Sequence, residues 1–352
     1  MNSFLQRRRF AGSGVCAAFF AVFCAAVSCS ADVGAAHGDS AFSLTCWNVQ
    51  TFFDGETSGT EYAEYRGAKS FWSREKYRSR LKRLCESVAA FDSDVLAFEE
   101  IENEETVADI ANELYGHLAR NKLYPYACFA RGDGGSVGCA VLSRFPLQNC
   151  TVHQCDFRAS VKDAGAPRMR PLMEVTLAVS DSAPPVRLLV NHWKSKSGGE
   201  ANAAFWQKQQ EAVLSQRIGR VSGESAVVVC GDFNRDLSEF AQEGAEVLLR
   251  AGINGGENVP VVSGWLLFPE SATGVGSYYY RGAWERIDHV FTAGRCTMRS
   301  FRARADGPWA REQGGERLPY RYQVSSGVGY SDHLPIQCVV SLQQNAAPAP
   351  TF

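Results

Sequence analysis

Six stretches of the chain place a polar or titratable side chain where an apolar run is interrupted or ends. They carry Asn48, Glu100, His192, Asp232 with Asn234, Asp288, and Asp332 with His333. The clearest is Ala226-Val-Val-Val-Cys230-Gly231-Asp232-Phe233-Asn234. Its β-branched run reads as a buried strand. The strand stops at Gly-Asp-Phe-Asn, so a carboxylate and a carboxamide arrive two residues apart at a strand end. Side chains there are held rigidly yet reach solvent, as a catalytic site requires. Each residue also has an ordinary structural explanation. Gly, Asp and Asn form turns, Asn48 can end a strand, Glu100 lies among Glu99, Glu102, Glu104 and Glu105, and His192 fits a half-buried core position. Asp332 can accept backbone N–H groups in the Ser331-Asp332-His333 turn.

Taken together they fit one chemistry. A phosphodiester presents negative oxygens to any nucleophile, so its hydrolysis needs charge neutralisation, an activated water and a protonated leaving group. Carboxylates with a carboxamide are hard oxygen donors suited to Mg²⁺ or Mn²⁺, with waters completing the shell. Two histidines beside such an ion can polarise phosphate oxygens or move protons near neutral pH. An imidazole needs an orienting acceptor, for which Asp288 is available. No thiolate or serine constellation competes.

The elements that must position these groups alternate between strand and helix. Phe42–Trp47 reads as a strand ending at Asn48, and 94–98 as a strand closing in Glu99-Glu100. Further strands are expected at 137–142, 172–179, 186–190, 286–291 and 334–341. Helical spacing predicts helices over 73–91, about 105–120 and about 200–221, with a short one over 240–250. Many connections are too short for parallel crossovers, which predicts mixed sheets packed face to face with helices outside. No internal repeat or second composition regime appears, so one domain is expected over 41–342, followed by a Pro/Ala-rich, disordered tail at 343–352.

The 45% hydrophobic content is that of an ordinary globular core. The net charge is −2, and −5 once Arg7, Arg8 and Arg9 are removed. No global basic field therefore attracts nucleic acid. Residues 1–30 read as an export signal, with an arginine-rich start, an apolar run over 11–27 and small residues after it. Ala26-Val27-Ser28-Cys29 resembles a lipobox, leaving two outcomes open: lipid attachment at Cys29, with membrane anchoring, or plain cleavage nearby. A periplasmic, membrane-anchored or secreted monomer is expected, with a linker at 31–40. Of the nine remaining cysteines, Cys46, Cys139, Cys230 and Cys338 read as small core residues. Cys150 and Cys155 are the best local disulfide candidates.

In order, Trp47-Asn48-Val49, Phe98-Glu-Glu-Ile-Glu-Asn103, Asn191-His-Trp-Lys-Ser-Lys196, Gly231-Asp-Phe-Asn234, Arg286-Ile-Asp-His289 and Ser331-Asp-His-Leu-Pro-Ile336 resemble the signature blocks of the endonuclease/exonuclease/phosphatase family. Gly138–Pro146 matches a further strand and turn. The resemblance runs from about residue 42 to 341. It implies an α/β (α+β) four-layered sandwich: two mixed β-sheets packed face to face and flanked by helices. It implies Glu100 as principal metal ligand, with Asn48 and Asp332 near the ion or phosphate. His333 resembles the histidine paired with an aspartate, here Asp288, as general base or phosphate donor. Asp232 resembles the residue that orients or deprotonates the attacking water; Asn234 and His192 resemble phosphate and transition-state donors. The implied ion is Mg²⁺, with Mn²⁺ or Ca²⁺ as alternatives. Two departures stand out. Gln50 replaces an aspartate frequent in nuclease members, and Glu99 replaces a glutamine, reading as a second acid or a solvent-facing one.

The Glu-Ile-Glu-Asn and Asn-His-Trp-Lys-Ser-Lys blocks look most like the secreted nucleases of that family, implying a nucleic-acid substrate. Lys194 and Lys196 then stand where polymer phosphates arrive, or else form a solvated loop. Ser277–Trp284 and the arginines between Arg281 and Arg321 offer stacking and phosphate contacts, although aromatic core packing explains them at least as well. The alternatives are a lipid-headgroup phosphodiesterase, sphingomyelinase-like and using Gly264–Phe268 for insertion, an inositol-phosphate phosphatase, and a non-catalytic surface binding protein.

Overall fold

The computed structural model describes residues 40–67, 70–155, 167, 169–250, 252 and 257–344. The expectations for the export signal, Cys29, nearly all of the linker and the tail beyond 344 lie outside these residues. Strands β1 (Ala41–Phe52), β2 (Val95–Ile101), β3 (Tyr126–Ala130), β4 (Gly138–Ser143), β15 (Cys296–Ala303) and β18 (Ile336–Leu342) form a six-stranded sheet ordered β15-β18-β1-β2-β4-β3. The second sheet has eight strands in the order β5-β6-β7-β8-β14-β11-β10-β9. These are β5 (Leu147–His153), β6 (Leu172–Leu177), β7 (Val186–His192), β8 (Ala226–Asp232), β9 (Ala241–Glu243), β10 (Glu246–Leu249), β11 (Val259–Ser263) and β14 (Asp288–Gly294). Two small hairpins, β12 (Tyr278–Tyr280) with β13 (Ala283–Glu285) and β16 (Ala310–Gln313) with β17 (Glu316–Pro319), stand apart from both sheets.

Period-two burial builds the sandwich. Phe42, Leu44 and Cys46 of β1, with Val95 and Ala97 of β2, meet Leu188, Val190, Val227 and Val229 of the other sheet. Their alternate neighbours Trp47, Leu96 and Phe98 pack instead on helices α1 (Arg74–Phe91) and α2 (Glu104–Glu113). Helix α3 (Glu200–Val221) covers the eight-stranded sheet through Leu214, Ile218 and Val221. Four layers result, as expected. β1–β2 and β7–β8 are the parallel pairs that α1 and α3 cross. Ser73 caps α1 by accepting the Lys76 N–H, and Asn103 caps α2 by accepting that of Thr106.

Three expectations are corrected. Segment 240–250 is the β9–β10 hairpin, not a helix. Gly244 turns it at φ 57°, and Val247 and Leu249 are buried while Glu246 and Leu248 are only partly so. Cys150 and Cys155 are free thiols: Cys150 points into the inter-sheet core beside Cys128, whereas Cys155 packs with Met169 and Trp206. Helix α2 ends at Glu113, well before 120.

The outer face of β6 carries Glu174, buried and held by charged partners. Arg217 of α3 donates through Nε (2.5 Å) and Nη2 (2.7 Å), and His153 Nε2 lies 2.6 Å away. Burial raises the carboxyl pKa, but the hydrogen bonds of His153 and Arg217, then their charges, bring it down to about 2. A depressed carboxylate pKa stabilises the fold above its unfolded value, and that stability is lost as pH falls through the folded value. Glu174→Gln should therefore cost about 3 kcal/mol at pH 7, at ~1.4 kcal/mol per unit. Urea titrations should show the deficit shrinking as pH drops below about 4.5. A constant deficit across that range would contradict the assignment.

Candidate active site

The C-terminal ends of β1, β2, β7 and β8, the start of β14 and the loop before β18 open on one cleft of about 1190 Å³. Backbone irregularities aim the side chains. The β2–β4 register skips Glu100, which takes φ 67°, and the β1–β2 register skips residues 49–51, where Gln50 and Thr51 take φ 53° and 47°. Such bulges re-aim side chains beside active sites at a cost in local strain. By strand alternation Glu99 faces the inter-sheet core, and the bulge turns Glu100 to the cleft. Glu99 is fully buried, accepting from Cys46 Sγ at 3.1 Å, so it is not the solvent-facing acid the sequence allowed. Gly231, at φ 134°, has no room for a side chain, because a Cβ would lie 1.9 Å from the Asn191 carbonyl oxygen.

Asp232 is the hub. Asn48 Nδ2 donates to its Oδ2 at 3.0 Å, Asn234 Nδ2 to the same oxygen at 3.0 Å, and the Asn234 N–H to Oδ1 at 2.8 Å. His192 Nε2 lies 3.6 Å from both Asp232 Oδ2 and Glu100 Oε1. His333 Nδ1 is 2.8 Å from Asp288 Oδ2, while its Nε2 points inward, 3.9 Å from Asp232 Oδ2. β8 and β14 place Asp232 and Asp288 directly opposite one another. Ser331 Oγ donates to the Asn48 carbonyl and accepts the His333 N–H, fixing the last loop to the first strand.

The electrostatics divide the roles. Burial first, then the Asp288 charge against the opposing pull of His333, pushes Asp232 up to about 7. Burial alone would lower His333, but the charge and hydrogen bond of Asp288, then Asp232 and Asp332, hold its imidazolium well above the usual range. His192 is held well below it by burial and by the positive charges of Arg170 and His333. The cleft thus presents a protonated donor in His333, a neutral imidazole in His192 and a carboxyl poised near neutrality in Asp232.

Hard oxygen donors for a cation are present. Glu100 stands at the cleft, its Oε2 accepting the Thr51 N–H. Asp332 lines the same cleft, with Oδ1 4.0 Å from His333 Nε2. Among the described residues, no three His, Cys, Asp or Glu side chains converge to enclose an ion. The two carboxylates suit a hard divalent cation, whose remaining positions waters or phosphate oxygens would fill. Asn48 stands between the two carboxylates Glu100 and Asp232. Its Oδ1 accepts the Gln50 N–H at 2.9 Å, and its amide nitrogen faces Asp232 and, at 3.4 Å, Glu100. It is the donor that ties two carboxylates together.

Gln50 is likewise committed elsewhere, exchanging two hydrogen bonds with the Tyr322 backbone at 2.9 and 3.1 Å. Buried Arg80 donates to the carbonyls of Val49, Gln50 and Thr51 and lies 3.7 Å over the Tyr322 ring, clamping the β1 bulge. Lys194 and Lys196 line the cleft, but Lys194 Nζ binds the Ser195 and Ser197 carbonyls and Lys196 pairs with Glu239 at 2.6 Å. Sequence reasoning missed Arg80 and Arg170; Arg170 donates to the Trp193 carbonyl and lines the cleft. It discounted Tyr278, whose ring packs on His333 with centroids 4.7 Å apart.

Fold and site together define a metal-dependent phosphoric-ester hydrolase built on a four-layered α/β sandwich. The Endonuclease/Exonuclease/phosphatase family profile matches residues 46–333, and the chain belongs to that family. Among solved structures it is similar to a humanized D. rerio TDP2 carrying 14 mutations, with a TM-score of 0.53 and 16% identity over 86% of this chain and 99% of that one. D. rerio TDP2 complexed with single strand DNA product gives 0.52 and 17% over 86% and 99%. An endonuclease/exonuclease/phosphatase of Beutenbergia cavernae gives 0.53 and 16% over 86% and 72%. At such identities the likeness is one of fold. No curated protein matches the chain.

Proposed function

We propose that the protein is an exported, Mg²⁺-dependent nuclease that hydrolyses phosphodiester bonds of DNA or RNA. The observation that carries the chemistry is Asp232. Its carboxyl is held by two carboxamides and one backbone N–H, its pKa lies near 7, and both histidines stand within 4 Å. A water against Asp232 loses its proton to that carboxylate as it attacks phosphorus. His333, kept protonated by Asp288, donates from Nε2 to a phosphate oxygen, and the neutral His192 and Asn234 add donors where charge develops. Glu100 and Asp332 would hold the cation, which neutralises phosphate charge and the leaving oxygen when bound.

The nucleic-acid substrate is favoured by the lining of the cleft. It carries the cations Arg170, Lys194, Arg281 and Arg321 beside the rings of Tyr62, Tyr278 and Tyr280, side chains that can meet phosphates and bases of a polymer. The lipid reading loses its feature. Gly264–Leu267 forms a short helix, α4, whose Trp265 is buried against Phe301, so the segment is no exposed hairpin. Plasmid DNA, RNA and sphingomyelin vesicles should be incubated with the purified chain, Mg²⁺ or chelator. Metal-dependent cleavage confined to nucleic acid is the expected outcome; vesicle hydrolysis alone would overturn it. For export, fractionation of expressing cells should place the chain outside the cytoplasm, and Cys29→Ala should release it from membranes if Cys29 carries the lipid.

A further inference from the structure

The mouth of the cleft carries a ladder of rings that the chemistry above does not use. Tyr278 of β12 packs on His333 at 4.7 Å. Tyr280, two residues on and so on the same face of the strand, stacks on Tyr278 at 6.2 Å with the planes 21° apart. The Arg281 guanidinium lies over the Tyr280 ring, 5.1 Å from its centroid, so a stacked base would enter between ring and cation, and Tyr280 is 45% exposed. Tyr278, Tyr280 and Arg281 all line the cleft. The β12–β13 hairpin is docked rigidly: Leu334 N–H donates to the Ser277 carbonyl, and Tyr278 bridges His333 through the backbone. Core packing does not account for a half-exposed ring at the outer end of such a ladder.

We infer that Tyr280 is a base-stacking platform, with Arg281 beside it for the adjoining phosphate, and that the preferred substrate is therefore single-stranded nucleic acid. The inference rests on the nuclease reading and adds the strandedness of the substrate. A nucleotide next to the scissile phosphate at His333 extends along the ladder, and its base meets an aromatic face. Base–aromatic stacking is tolerant of sequence because every base offers a π-face. In a duplex those faces are already covered by neighbouring pairs, and exposing one costs unstacking and unpairing energy.

The test compares kcat and KM of the full chain in Mg²⁺ on a single-stranded oligothymidylate, its abasic counterpart of equal length, and the matching duplex. Wild type should show a KM on the base-bearing strand lower by roughly tenfold or more than on the abasic strand or the duplex. Tyr280→Ala should raise KM on the base-bearing strand by about the same factor, leave kcat and the abasic strand unchanged, and Tyr280→Phe should restore wild-type behaviour. A Tyr280→Ala variant that loses equally on both strands, or on neither, overturns the platform while the nuclease reading stands. Wild type that cleaves none of the three, nor an oligouridylate of equal length, overturns both.

Discussion

Asp232→Asn should lower phosphodiester turnover by on the order of 10³, within the range for losing a general base. The substitution keeps size and shape but removes the one proton acceptor, among the described residues, that both histidines face. It should leave the fold intact. The site already disfavours charge on Asp232, whose pKa stands near 7, and this offsets the loss, at Oδ2, of the acceptor that the Asn48 and Asn234 amides share, while the Asn234 N–H retains an oxygen to donate to. The variant should therefore melt within a few degrees of wild type, as circular dichroism can show. Turnover within tenfold of wild type would move the base to another group, with the neutral His192 the first candidate.

The second large effect is expected at Glu100. Glu100→Gln replaces one carboxylate oxygen by an amide and should weaken Mg²⁺ binding by roughly 10- to 100-fold or more, since even groups behind the ligands contribute that much. Calorimetric titration of Mg²⁺ reads the affinity without any substrate. Activity should fall at low Mg²⁺ and recover in part as Mg²⁺ is raised. Replacing Gln50 makes a useful contrast. Its amide is spent on the Tyr322 backbone, so Gln50→Ala should loosen the β1 bulge and lower stability before it alters metal affinity. Unchanged Mg²⁺ binding in Glu100→Gln would remove Glu100 from the ion.

Much of this was readable from the chain. Asn48, Glu100, His192, Asp232, Asn234, Asp288, Asp332 and His333 end or interrupt apolar runs, and the parallel pairs β1–β2 and β7–β8, with antiparallel β14 starting at Asp288, bring theirs to one edge. What stayed hidden depends on contacts far apart in sequence. Gln50 meets Tyr322 across 272 residues, and no local pattern says that its amide is occupied. The orientation of the Asn48 amide follows from one backbone N–H made available by the bulge. Arg80 sits on a helix with other basic residues and nothing local sets it apart, yet its guanidinium is buried against three carbonyls. The 240–250 segment misleads for another reason. Its short apolar run fits helix and strand alike, and Gly244 decides for the hairpin. Tyr278 and Tyr280 look like core aromatics until the hairpin is seen at the mouth of the cleft.

The most direct test of the nuclease assignment is cleavage of a labelled single-stranded oligonucleotide by the purified chain in Mg²⁺ and in chelator, beside His333→Ala. Cleavage in Mg²⁺ that chelator abolishes, and that His333→Ala lowers by about 10² or more, is the predicted result. Cleavage that survives chelator, or that His333→Ala leaves undiminished, would contradict a metal-dependent nuclease centred on His333 and Asp232.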